Sequence, residues 1–173
     1  MWEFFVYFYL PDNMAEINLF GSYECTADAK GRVMLPVAVK NQLKPVIKQG
    51  FVIKQSIFSK SLELYPISSW GELSKQVNKL NKFVKKNVEF IRMFNYGVRA
   101  VELDESGRFL IPSDLVAFAG IKKDVVVVAQ QDRMEIWDKR SYDKFIKENN
   151  ARFEDLAQDV MGGISTEDPD GQK

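Results

Sequence analysis

The chain has 173 residues, 46% apolar and 28% charged, with 24 basic residues balanced by 24 acidic ones, the composition of an ordinary soluble globular protein that forms one compact domain or two small ones. It contains no histidine and a single cysteine, Cys25, which excludes Ser–His and Cys–His catalysis, imidazole and thiolate metal sites, and any internal disulfide. Cys25 falls in a predicted strand and is expected to be a small buried residue in a reducing compartment.

In chain order, residues 1–13 are a short aromatic run (Trp2, Phe4, Phe5, Tyr7, Phe8 and Tyr9) ended by Pro11. It is too short to span a bilayer and carries Glu3 where a signal peptide has basic residues. We expect it to be an extra N-terminal segment, with translation starting at Met14. Alternating residues then predict a strand up to Asp28. In Asp28-Ala29-Lys30-Gly31 the aspartate can accept a bond from the N–H two residues on, and the glycine can take positive φ, so a hairpin turn is expected. Pro36 ends the next strand and opens a short helix over 37–43. Strands are predicted at 51–53 and 62–66, with a turn at Lys60-Ser61. A helix capped by Ser68/Ser69 runs to about Leu80, with Leu73, Val77 and Leu80 on one face. A second helix over 82–94 carries Phe83, Phe90, Ile91 and Phe94 as its apolar positions.

The pattern then repeats. Asp28-Ala29-Lys30-Gly31-Arg32-Val33-Met34-Leu35-Pro36 returns as Asp104-Glu105-Ser106-Gly107-Arg108-Phe109-Leu110-Ile111-Pro112. A short helix over 113–119 follows, stopped by Gly120, then a strand at 125–129 and a turn at Asp132-Arg133. Arg133-Met134-Glu135-Ile136-Trp137-Asp138 answers Ser61-Leu62-Glu63-Leu64-Tyr65-Pro66, and Tyr142 answers Trp70. The first turns are 76 residues apart and these later segments 72, so the first copy holds four extra residues between its proline and its last strand. An internal repeat of this kind dictates the architecture. One unit is too small to close a core. The expected fold is α+β, mainly β, with two tandem units interleaving their hairpins into a small pseudo-symmetric β-barrel and helices at the periphery. The divisions read as an extra segment 1–13, a first unit 19–66, a helical connector 67–95, a second unit 96–138, a C-terminal helix 139–161 and a disordered tail 162–173.

Charge is unevenly placed. Residues 146–173 hold three basic and seven acidic residues, whereas 71–99 hold seven basic and two acidic. Local basic density beside an acidic tail is compatible with a polyanion partner, and equally with a solvated helix face.

The paired Asp-x-x-Gly-Arg motifs resemble the MraZ proteins of bacteria. Supporting residues are Tyr23-Glu24-Cys25, Leu62-Glu63-Leu64-Tyr65-Pro66, the Trp70 helix, Val101-Glu102-Leu103 and Met134-Glu135-Ile136-Trp137-Asp138. The likeness runs from about Met14 to about Lys147. It implies tandem swapped-hairpin units similar to the regulator AbrB. It further implies a cytoplasmic, nucleoid-associated transcriptional regulator that binds direct repeats in the promoter of the division and cell-wall gene cluster and assembles into homo-oligomeric rings. Glu105 and Ser106, where the first copy has Ala29 and Lys30, make the second turn less basic.

The residue chemistry fits a DNA partner. Arg32 and Arg108 each follow a glycine at a hairpin tip, where a guanidinium can reach a major-groove guanine or a phosphate. Lys30 can add a phosphate contact, and Arg99 and Lys40 are weaker candidates. Asp28, Gly31, Asp104 and Gly107 shape the turns. Two readings stay open: double-stranded DNA binding, or Asp–Arg pairs that only stabilise hairpins in an antitoxin-like oligomerisation module. An enzyme is not expected, since there is neither a phosphate-binding Gly-x-x-x-x-Gly-Lys loop nor a carboxylate pair without a turn role. No cofactor, metal, membrane or small-molecule substrate is implied.

Overall fold

Two prolines and two aspartate turns organise the chain. Pro36 and Pro112 lack an N–H and hold φ at −53° and −55°, so each stops a strand and starts a helix. In the computed structural model, residues 17–162 are described; the aromatic run 1–13, Met14 and the tail beyond Gly162 lie outside the described residues. The elements are β1 (Leu19–Thr26), β2 (Arg32–Met34), α1 (Val37–Gln42), β3 (Phe51–Gln55), β4 (Leu62–Pro66), α2 (Ile67–Asn78), α3 (Lys85–Asn95), β5 (Arg99–Val101), β6 (Arg108–Leu110), α4 (Ser113–Ala119), β7 (Asp124–Gln131), β8 (Arg133–Asp138), α5 (Lys139–Asn150) and α6 (Phe153–Met161).

The strands form an antiparallel six-stranded sheet in the order β1-β7-β8-β4-β3-β5, and a separate ribbon of β2 and β6. The chain is α+β and mainly β, as expected. A closed barrel is not found. β1 and β5 are the two ends of the large sheet, and among the described residues the ribbon is joined to the β1 side by one isolated bridge, Ala27↔Val33, just past the end of β1. The ribbon strands have three residues each. An aspartate turn bounds them on one side and a proline two residues later on the other, so they are too short to knit into the large sheet.

Most pairings cross between repeats: β1 with β7, β3 with β5, β4 with β8 and β2 with β6. Neither repeat could therefore bury its apolar faces alone. Val33, Leu35, Phe51, Ile53, Leu62, Leu64, Phe109, Leu115, Val125, Met134 and Ile136 are all fully enclosed in one core cluster drawn from both. At about 1.5–3 kcal/mol per buried aliphatic or aromatic side chain, this shared core dominates folding. The four extra residues of the first copy divide evenly. Phe51 opposes Pro66 where Val125 opposes Asp138, which puts two of them before β3, with the 3-10 turn Ile47–Gln49, and two in the β3–β4 turn.

Four local expectations are corrected. Ser68 and Ser69 do not cap α2; Pro66 occupies that position, and Ser68 Oγ is buried without a hydrogen-bond partner. The helix expected from Lys82 begins at Lys85, because Asn81 Oδ1 accepts the Phe83 N–H and forms a turn. Phe83 is consequently fully exposed, and Phe94 is the buried anchor of α3. The single C-terminal helix expected over 139–161 is two helices, broken at Ala151–Arg152. Cys25 is half-buried rather than enclosed, and that burial pushes its thiol above its ordinary pKa.

Candidate nucleic-acid interface

The site grows from the two turns. Asp28 Oδ1 accepts the N–H groups of Lys30 and Arg32, each at 2.9 Å, and the Gly31 N–H donates to the Asp28 carbonyl at 2.9 Å. Gly31 takes φ +81°, a conformation that glycine adopts at little cost. Asp104 repeats the arrangement: Oδ1 accepts from Ser106 at 2.9 Å and from Arg108 at 3.0 Å, and Gly107 sits at φ +79°.

The other carboxylate oxygen holds the arginine. Arg32 Nε donates to Asp28 Oδ2 at 2.6 Å and Arg108 Nε to Asp104 Oδ2 at 2.9 Å. Among the described residues, neither guanidinium has a hydrogen bond at its terminal nitrogens. Each fork is thus fixed at its base with its two outer donors available, the geometry for bidentate recognition of guanine or phosphate. The backbone N–H of the arginine, followed by its side chain, lowers the pKa of Asp28, and Arg108 does the same for Asp104.

The ribbon sets the spacing. Arg32 pairs with Leu110, Val33 with Phe109 and Met34 with Arg108. Alternation sends Val33 and Phe109 into the core and leaves Arg32, Met34, Arg108 and Leu110 on the outer face. Each turn glycine also accepts from the opposite strand: Ile111 N–H to the Gly31 carbonyl at 3.0 Å, and Leu35 N–H to the Gly107 carbonyl at 3.1 Å. The two turns are therefore locked to one rigid ribbon. They stand about 13 Å apart along it, four residues at roughly 3.3 Å each.

Lys40 takes a place the sequence did not suggest. A Cβ built on Gly107 would lie 2.8 Å from Lys40 Nζ, so this lysine of the first repeat lies against the second turn. The corresponding position at the first turn holds Val116, whose Cγ2 would lie 3.5 Å from a Cβ on Gly31. The first turn carries its own Lys30; the second has Ser106 there and borrows Lys40 from α1. Arg99 is placed elsewhere, on the edge strand β5, donating to the Val98 carbonyl and 3.6 Å from Asp114 Oδ2. Sequence reasoning missed Met34 and Leu110, which are 44% and 51% exposed. Their alternation with Val33, Leu35, Phe109 and Ile111 was the available signal.

A family model described as "MraZ protein, putative antitoxin-like" matches the chain twice, at residues 19–92 and 94–162. The chain belongs to the MraZ family. Proteins named transcriptional regulator MraZ are similar over most of its length. The one from Christiangramia forsetii is 52% identical over 84% of this chain and 94% of its own. That from Flavobacterium psychrophilum is 47% identical over 87% and 96%, and that from Cytophaga hutchinsonii 37% over 85% and 97%. These MraZ relatives are named as regulators, not enzymes. Among the described residues, no helix is long and apolar enough to cross a membrane.

Proposed function

We propose that this MraZ protein is a sequence-specific DNA-binding transcriptional regulator whose β2–β6 ribbon meets the major groove. The observation that carries the reading is the pair of guanidinium groups anchored at Nε by Asp28 and Asp104, with no hydrogen bond at their outer nitrogens among the described residues. A two-stranded ribbon is narrow enough for the groove, and an arginine bidentate to guanine discriminates against a wrong base by roughly 1–3 kcal/mol. Lys30 and Lys40 supply phosphate contacts at the two turns, and Met34 and Leu110 supply apolar surface for thymine methyl groups.

The targets are promoter direct repeats, in the division and cell-wall gene cluster, read by a homo-oligomeric ring of cytoplasmic, nucleoid-associated protein. The exchange of strands between the repeats is what a swapped-hairpin unit would require. Several ribbons held in one particle would multiply weak single contacts, provided that their spacing matches the DNA repeats.

Footprinting of the purified protein on its own upstream region tests this reading. Protection of evenly spaced repeats is expected, with binding that falls steeply with salt. The second reading, an antitoxin-like interaction module, draws on the family description. It would be favoured by weak, unspaced protection that persists in the Arg32→Ala, Arg108→Ala double variant.

A further inference from the structure

The two repeats end differently. After β4, α2 leads to α3, and Phe94 of α3 is buried against the domain, stacked on Trp70 with ring centroids 5.5 Å apart and 5.1 Å from Lys54 Nζ. After β8, α5 leads to α6, none of whose residues is buried. Phe153, Leu156 and Val160 recur at helical spacing on one face and are 65%, 48% and 61% exposed. Asp159 borders that stripe, one turn from Leu156, with Asp155 beyond it on the same side. A nine-residue helix is marginal by itself in water, so this one needs a surface to cover its apolar face.

A matching surface lies between the β3–β4 turn and α3. It is a groove of ≈ 630 Å³ walled by Ile57, Phe58, Phe90, Met93, Tyr96 and Phe118. Phe58 is 95% exposed and Met93 72%. Its border is basic: Lys60 Nζ sits 4.4 Å from the centre of the Phe118 ring, and exposed Lys86 shares a helix face with Phe90 and Met93. The groove is apolar with a lysine rim; the helix is apolar with a carboxylate rim.

We propose that α6 of one protomer seats Phe153, Leu156 and Val160 in the β3–β4/α3 groove of a second copy. The contact presupposes the homo-oligomer proposed above and names the surfaces that build it. Joined head to tail rather than reciprocally between two copies, helix and groove make a heterologous contact, which builds a ring where its rotation closes. DNA has no part in it.

Sedimentation of the full chain and of two variants, without DNA, tests the contact. Leu156→Asp removes the donor and Phe58→Asp the acceptor, both at exposed positions, with circular dichroism to verify folding. The wild type is expected to assemble, each variant to sediment as a monomer, and an equimolar mixture to yield a dimer through its one remaining competent contact. Lys60→Glu with Lys86→Glu should weaken assembly, and adding Asp155→Lys with Asp159→Lys should restore it. Variants that assemble like the wild type would overturn the proposed surfaces and leave the oligomer reading standing; a monomeric wild type would overturn both. Assembly lost in Leu156→Asp but kept in Phe58→Asp would overturn the groove and point instead to a two-fold contact between α6 helices; a mixture that stays monomeric would overturn the helix–groove pairing. A photo-crosslink from position 93 to residues 1–13 of the same chain would identify that segment as the occupant.

Discussion

The two Asp-x-x-x-Arg turns share a backbone but not a source of charge. Both use one carboxylate to bond two backbone N–H groups and one side-chain Nε, and both place glycine at nearly the same positive φ. The first turn carries Lys30 within itself; the second, with Glu105 and Ser106 in its loop, has Lys40 against Gly107 from the other repeat. A duplicated turn can thus lose a charge locally and regain it across the interlock. The motif preserves the geometry, and packing between repeats supplies the chemistry.

The largest effect should come from Phe109→Ala. Phe109 is fully buried beneath the ribbon that joins the repeats, and such a truncation costs about 3–5 kcal/mol. Because both turns hang on that ribbon, thermal unfolding monitored at each repeat should shift together. Independent melting of the two halves would contradict the shared core.

Arg32→Ala and Arg108→Ala should come next, each weakening specific binding by roughly 1–3 kcal/mol while the fold persists. Melting and affinity measured on the same preparation separate recognition from hairpin stability. A well-folded Arg32→Ala protein with wild-type affinity would remove the first turn from the DNA interface.

Lys30→Ala and Lys40→Ala should act more weakly and on all sequences. Each should flatten the salt dependence of binding by about one phosphate contact, a change in log–log slope near 0.9. Coupling sharpens the comparison: Lys40→Ala should be non-additive with Arg108→Ala and additive with Arg32→Ala. Coupling of Lys40 to Arg32 instead would refute the assignment of Lys40 to the second turn.

The smallest effect concerns acid. The hydrogen bonds to Asp28 and Asp104 lower both carboxyl pKa values. A carboxylate held below its unfolded pKa, about 3.9, gives its full stabilisation above that value and loses it as pH falls through the folded one. Carboxyl-carbon titration by NMR should give both residues midpoints below the ordinary value, and the turns should tighten DNA equally well at pH 6 and pH 8. A midpoint at or above the ordinary value would mean that the turn bonds are not kept in solution.

The order of elements and the two turns could be read directly from the residues, because their causes are local. Asp28 and Asp104 bond to atoms two and four residues away, and Pro36 and Pro112 stop strands by chemistry they carry themselves. The chain by itself also required that the repeats cooperate, since neither holds enough apolar surface for a core. Tertiary structure decided the rest. Three-residue strands such as β2 and β6 carry too little pattern to name their partners, so only packing showed an open sheet with a separate ribbon. The approach of Lys40 to Gly107 likewise depends on a neighbour 67 residues away (107 minus 40). No local rule fixes a distance across such a span, because the chain between is long enough to close in many ways and only the shared core selects one.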